Sequence, residues 1–298
     1  MTIEQPAPGG PRRPSGPRDP GDAWVVAPDG QRYWGRFGAA GLLAHDPRRG
    51  VLLQHRVAWS HFGGTWGIPG GARHEGESAT DAAVREAQEE AGVPDGVLHP
   101  LWTTVLDLGV WSYTTLVARV TTPFEPVIAD PESLALAWVP VDEVDALELH
   151  PGFARSWPEL RALLAEDVSV VVDTANVVGS VPDGWWRNRA GAAARLLDDL
   201  AALARDGIDA GALGLGGTRW FPRLVAVLEG DARRADDRPG VEVVRAEGAG
   251  DDTLVAVARA AVERGGRVVL VTSDRGLAER AGGVGAEVRP VSWLRGML

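Results

Sequence analysis

Three glutamates, Glu86, Glu89 and Glu90, stand at positions i, i+3 and i+4 of the segment Arg85-Glu-Ala-Gln-Glu-Glu-Ala-Gly-Val93. On a helix they share one face, a turn apart. Like charges so placed repel by roughly 0.2–0.5 kcal/mol per pair. A cation between them turns that cost into a binding site. Carboxylate oxygens, in a chain with no cysteine and no histidines at metal spacing, suit a hard ion such as Mg²⁺ or Mn²⁺. The alternative for an isolated E-x-x-E-E is a solvated acidic helix face.

The flanks favour the first reading. Gly70-Gly71 makes a turn ahead of the helix, and Ser78 or Thr80 with Asp81 supplies a cap and first-turn acidity. Gly92 falls where a helix C-terminus takes a left-handed residue. Ala79, Ala82, Ala83 and Ala87 form a small apolar stripe for packing on a sheet. The helix is predicted from about residue 78 to 91.

Gly71, Glu77, Arg85, Glu86, Glu89, Glu90 and Gly92 occupy every fixed position of G-x5-E-x7-R-E-U-x-E-E-x-G-U, where U is bulky and apolar. Val93 fits its U position and Ala87 is smaller than usual. The segment therefore resembles the Nudix box. The resemblance implies a Nudix α/β/α sandwich with a mixed sheet over residues 23–165. It implies that Glu86, Glu89 and Glu90 bind Mg²⁺ (or Mn²⁺), with the Gly71 carbonyl as a further ligand. Glu77 and Arg85 would pair to lock the loop against the helix. The implied activity is hydrolysis of a nucleoside diphosphate linked to some group X, with Glu89 or Glu132 taking the proton from water. Gly64-Thr-Trp-Gly-Ile-Pro-Gly-Gly71 is similar to members that act on nucleoside triphosphates or their oxidised forms. ADP-ribose and dinucleotide polyphosphates remain open. Trp66, which could stack on a base or pack in the core, and Arg56 are the candidate substrate contacts.

Composition narrows the rest. The chain has 298 residues, net charge −11, no cysteine and no lysine. Disulfides, thiolate catalysis and Schiff-base lysines are excluded, and any phosphate-binding cation is an arginine. The acidity lies in residues 1–167, with 23 acidic and 13 basic side chains; residues 168–298 hold 18 and 17. Residues 1–22, rich in proline and glycine, read as a disordered tail without the apolar core of a secretory signal. No apolar run is long enough to span a membrane, and the cytoplasm is the expected location.

A second unit is predicted over 168–298, where β and α segments alternate as in an open, mostly parallel α/β sheet. In such sheets ligands gather at the carboxyl ends of the strands. Asp173, Asp251, Asp252 and Asp274 all map there, which suggests a second metal site. Asp173-Thr-Ala-Asn176, Gly250-Asp-Asp252 and Thr272-Ser-Asp-Arg-Gly276 together resemble the NYN branch of the PIN-like nucleases, in which matching acids bind Mg²⁺ for phosphodiester hydrolysis. The resemblance implies a three-layer PIN-like domain with RNA as partner. Helix capping by the same aspartates is the alternative. Arg187, Arg189, Arg275 and Arg280 are candidate phosphate contacts, and Trp185-Trp186 is expected to cover a hydrophobic face. The rival for the whole chain is a nucleotide-sensing or RNA-binding regulator with a non-catalytic second unit. Intact box glutamates argue against it.

Overall fold

The computed structural model describes residues 1–4, 19–60, 62–182 and 184–298. The chain divides into two compact units, Met1–Ala162 with Leu215–Arg219, and Leu163–Gly214 with Trp220–Leu298.

The first unit is built on a mixed sheet ordered Ser133–Val139, Gly50–Arg56, Ala39–Asp46, Ser112–Val120, Leu98–Asp107. Ala39–Asp46 runs parallel to Ser112–Val120, and the other neighbours are antiparallel. Ala39–Asp46 and Gly50–Arg56 are apolar on both faces, and Leu42, Leu43, Leu52 and Leu53 are fully buried. That continuous burial suits central strands covered on both sides. Their turn is set by Asp46, whose Oδ1 accepts the Arg48 N–H at 2.8 Å while Oδ2 accepts Arg49 Nε at 2.8 Å. Two short strands join the central pair: Gly70–Ala72 against Ala39–Asp46, and Trp66–Gly67 against Gly50–Arg56.

The box helix spans Ala79–Ala91. Ser78 caps it by accepting the Asp81 N–H at 3.1 Å. Gly92, at φ 63° and ψ 30°, ends it in the left-handed region, its N–H donating to Ala87 and Gln88 carbonyls. Ala82, Ala83, Ala87 and Ala91 are fully buried, so the helix lies close on the sheet. Glu86 and Glu90 share that buried face.

Of the expected tail, Thr2–Glu4 pair antiparallel with Trp24–Val26 and Asp22 is buried, while residues 5–18 lie outside the described residues. After the strand Ser133–Val139 the chain makes only a 3₁₀ turn, Val144–Ala146. Val139 is still paired with Val51, and Pro140 holds it extended. The helix Pro151–Leu163 begins at a proline, whose fixed φ suits a first helical position.

The second unit holds a five-stranded parallel sheet ordered Val241–Arg245, Arg223–Leu228, Val168–Asp173, Arg267–Val271, Glu287–Arg289. All six residues of Val168–Asp173 are buried. Numbered along the chain within this unit, the strands run 3-2-1-4-5 across the sheet. The order reverses between the first and fourth, and Asp173 and Thr272–Asp274 end those two strands. Asp173 also caps a short helix, Thr174–Gly179, its side chain accepting the Asn176 N–H.

Candidate active site

Gly70–Gly71, expected as a turn, belongs to the strand Gly70–Ala72, which passes where the box helix and the central sheet leave no room for a side chain. A Cβ on Gly70 would stand 2.6 Å from the Ala40 carbonyl oxygen, and one on Gly71 would stand 2.5–2.7 Å from the Glu86 carboxylate. Glycine therefore lets the strand lie directly on the acidic helix face. The Gly70 N–H donates to Glu90 Oε2 at 2.9 Å.

Arg85 organises the helix N-terminal side. Its Nε and Nη2 reach Glu77 Oε1 and Oε2 at 2.8 and 2.9 Å, a bidentate pair. Nη2 also donates to the Ala72 carbonyl at 2.9 Å, and Nη1 to Glu86 Oε1 at 2.8 Å. The approach of Nη1 to Glu89 Oε1 is longer, 3.4 Å. Burial raises the Glu77 pKa, but the Arg85 pair and the His74 N–H outweigh it and hold the carboxyl below its ordinary range. Burial opposes the charge on Arg85, yet Glu77 and Glu86 keep it firmly protonated. The helix face is thus divided. Glu86 is 1% exposed and paired with Arg85, Glu90 is buried, and Glu89 is half-exposed.

Glu90 meets two further acids. Ligand oxygens of Glu90, Asp130 and Glu132 lie within 4.8 Å of one another, the one such group of three among the described residues. The segment bearing Asp130 and Glu132 is tied to the helix end, with Val127 N–H donating to the Ala91 carbonyl at 3.0 Å and Ala129 N–H to that of Glu90 at 3.4 Å. Asp130 Oδ1 accepts the Glu132 N–H at 3.1 Å and the Ser133 hydroxyl at 3.2 Å. Ser133 in turn accepts buried Gln54 Nε2 at 2.8 Å. Burial drives the Glu90 pKa well above the ordinary value, and the charges of Glu86 and Asp130 add to it. The Gly70 N–H and Arg56 act in the opposite sense, so the Arg56 charge reaches this cluster. The Tyr113 phenol is also pushed up, by burial and then by Glu90.

This all-oxygen set fits a hard divalent ion. Glu90, Asp130 and Glu132 converge, and their mutual repulsion is what a cation relieves. Asp130 was missed in the sequence; its only signal was its place two residues before Glu132. Trp66 is half-buried, stacked on His55 with ring centroids 4.7 Å apart, and its backbone bonds to Glu148 and His150. His61 lies outside the described residues.

In the second unit a cavity of about 500 Å³ opens at the strand-order reversal, lined by Asp173, Asn176, Glu229, Asp251, Ser273 and Asp274 among others. Asp173 accepts the Asn176 N–H at 3.0 Å and the Thr272 hydroxyl at 2.8 Å. Burial raises its pKa despite those bonds, and Asp251 and Glu229 raise it further. Asp274 caps the helix Arg275–Gly283 through the Leu277 N–H at 2.8 Å. Asp252 does not line the cavity and pairs instead with Arg280. Glu229, absent from the sequence reading, takes its side by accepting the Gly250 N–H at 2.7 Å. No three of these acids come within 4.8 Å of one another among the described residues.

A mixed sheet with a glycine strand, an arginine-locked glutamate helix and converging carboxylates defines a hydrolase of phosphoanhydride bonds. The sequence profile of the NUDIX domain matches residues 35–160. The chain is 49% identical over 154 residues to "Putative 8-oxo-dGTP diphosphatase 3" of Mycobacterium tuberculosis, covering 48% of this chain and 70% of that protein. It is 41% identical over 155 residues to a nucleoside triphosphate pyrophosphatase/Nudix hydrolase fusion protein of Bifidobacterium longum, covering 49% and 32%. The crystal structure of a Nudix hydrolase from M. smegmatis aligns at 48% identity and TM-score 0.45, covering 49% of this chain and 96% of that one. The chain belongs to the Nudix family and is a Nudix hydrolase acting on nucleotide phosphoanhydride bonds.

Proposed function

We propose that the first unit cleaves a nucleoside triphosphate or its oxidised form to a monophosphate and pyrophosphate, using Mg²⁺ or Mn²⁺. The observation that carries this reading is the meeting of Glu90, Asp130 and Glu132 beside the Gly70–Ala72 strand. The choice of substrate draws support from the relatives named for 8-oxo-dGTP. Glu90, Asp130 and Glu132 would hold the ion, with Glu86, Glu89 and the Gly71 carbonyl as its remaining neighbours on the helix side. Such an ion supplies neutralisation of phosphate charge and acidification of a bound water. The chain's own part is to place the acids and the substrate. Arg85 fixes the orientation of Glu86, and Ser133 fixes Asp130. Arg56 counters phosphate charge next to Glu90. Glu132 or half-exposed Glu89 accepts the proton from the attacking water. Trp66, stacked on His55, offers a ring edge to the base.

The test is a screen of 8-oxo-dGTP, unmodified triphosphates, ADP-ribose and dinucleotide polyphosphates with Mg²⁺ or Mn²⁺, measuring pyrophosphate and phosphate release. Release of pyrophosphate from a triphosphate, lost with Glu90→Gln, is expected. Turnover of ADP-ribose alone would overturn the substrate assignment.

For the second unit, we propose a PIN-like domain over 168–298, with residues 23–165 as the Nudix domain and the whole located in the cytoplasm. Its cavity at the strand-order reversal supports a metal-dependent ribonuclease using Asp173, Asp251 and Asp274, while Asp252 pairs with Arg280 and does not line the cavity. Cleavage of single-stranded RNA by the full chain with Mg²⁺ or Mn²⁺, abolished by Asp173→Asn, is the expected result.

A further inference from the structure

We infer that Trp185, Trp186, Arg187 and Arg189 form a stacking platform for a single-stranded polynucleotide at the rim of the second unit's cavity, an assignment that rests on reading this cavity as a nucleic-acid site. The tryptophan pair was expected to cover a hydrophobic face. Instead Trp186 is 56% exposed. Its ring meets that of Trp185 edge to face, with centroids 6.1 Å apart. Gly184, at φ 83°, turns the chain just before them into the 3₁₀ turn Trp185–Arg187.

Position connects the pair to the cavity. A Cβ on Gly179 would stand 3.8 Å from Trp185 Cζ2, and Gly179 itself lines the cavity. Trp185 therefore lies beside a residue of the cavity whose walls carry Asp173, Glu229, Asp251 and Asp274, and Trp186 follows it in the chain. Trp185 is partly buried with the Arg189 guanidinium over its ring, whereas the large Trp186 ring is left in water.

Charge selects the ligand. The cavity wall is acidic and by itself repels phosphate. Arg280 does not offset it, because Asp251 and Asp252 hold its guanidinium. Arg187 and Arg189 are exposed on the same turn and helix start as the tryptophans, and neither enters an ion pair among the described residues. The Arg189 guanidinium lies 5.3 Å from the Trp185 ring centroid. Rings interleaved with such cations match an anion that alternates flat bases with phosphates. A duplex keeps its bases stacked inward and cannot offer them to the rings, so the ligand is a single strand. The cavity is within the roughly 300–1,000 Å³ range that accepts a ligand of nucleotide size.

The experiment measures fluorescence anisotropy of labelled oligouridylate and oligothymidylate, about twelve nucleotides long, a length within the span of known single-strand sites. The full chain carries Asp173→Asn so that cleavage cannot consume the probe. Trp186→Ala should weaken binding on the order of tenfold, the scale of losing one base stack. Trp186→Phe should restore most of it, and both variants should keep the parent's circular dichroism and melting temperature. Arg187→Ala with Arg189→Ala should lower the slope of log affinity against log salt by about one to two. Binding of oligouridylate alone names RNA as the source of the strand, and equal binding of both supports a platform that reads base and phosphate only. Unchanged affinity in Trp186→Ala, or no binding of either strand by the parent, overturns the platform; the second result makes this face a protein contact. Cleavage is read separately on the native chain. Intact RNA together with weaker binding by Trp186→Ala removes the nuclease reading and leaves the platform standing.

Discussion

Replacing Glu77 with glutamine should separate the stability of the box from its chemistry. Glu77 and Arg85 are 15% and 20% exposed at the side chain, so solvent screens their bidentate pair little. Glutamine keeps one acceptor and turns an NH₂ donor towards an arginine donor. One charge-assisted bond is lost, at about 1.5–3 kcal/mol, and a donor faces a donor. The expected cost is about 2–3 kcal/mol, or roughly 4–10 °C in the melting transition of the first unit. The effect should depend on pH with a definite sign. Glu77 titrates below its ordinary value of 4.5 when folded, so its contribution is complete above that value and is lost as pH falls through the folded pKa. Curves for the native chain and Glu77→Gln should therefore converge in acid. Glu77 lies outside the Glu90–Asp130–Glu132 group, so turnover should fall only about tenfold, through misplacement of Arg85 and Glu86. The assays are thermal unfolding by circular dichroism across pH and pyrophosphate release at saturating substrate. An unchanged melting temperature, or a stability loss that persists undiminished at low pH, would refute the reasoning.

Glu90→Gln should cut turnover at least about 10²-fold. Without divalent ions it should melt no lower than the native chain, because a buried carboxylate repelled by Glu86 and Asp130 has been neutralised; a clear drop in melting temperature would contradict this account. Ser133→Ala should weaken Mn²⁺ binding, followed by electron paramagnetic resonance, about 10- to 100-fold, since Asp130 loses its hydroxyl donor. Native affinity in that variant would show that Asp130 does not take part. Gly71→Ala should cost about 1–3 kcal/mol in urea unfolding, because its methyl would press on a Glu86 carboxylate already held by Arg85. Comparing Glu89→Gln with Glu132→Gln assigns the proton acceptor: the variant that flattens the acidic limb of the pH–rate profile carries that role.

Local sequence determined the box helix and its contacts. Ser78 and Gly92 end it, the alanine stripe buries it, and the eight-residue step from Glu77 to Arg85 returns the chain for a bidentate pair. The helix and its caps are short-range effects that spacing encodes, while the Glu77–Arg85 pair was implied by the resemblance of the segment to the Nudix box. The parallel strands of the second unit were legible for a similar reason: a run such as Val168–Asp173, apolar at nearly every position, has few stable alternatives to a doubly covered strand. Tertiary structure decided which charges meet. The three helix glutamates looked equivalent in sequence, yet packing buries Glu86 against Gly71 and Arg85, leaves Glu89 half in water, and sends Glu90 to Asp130 and Glu132 from a distant loop. In the same way, strand order brought Glu229 to the cavity, while Arg280 drew Asp252 away from it. Electrostatic partnership depends on separations across the fold, and residue spacing along the chain carries no record of them.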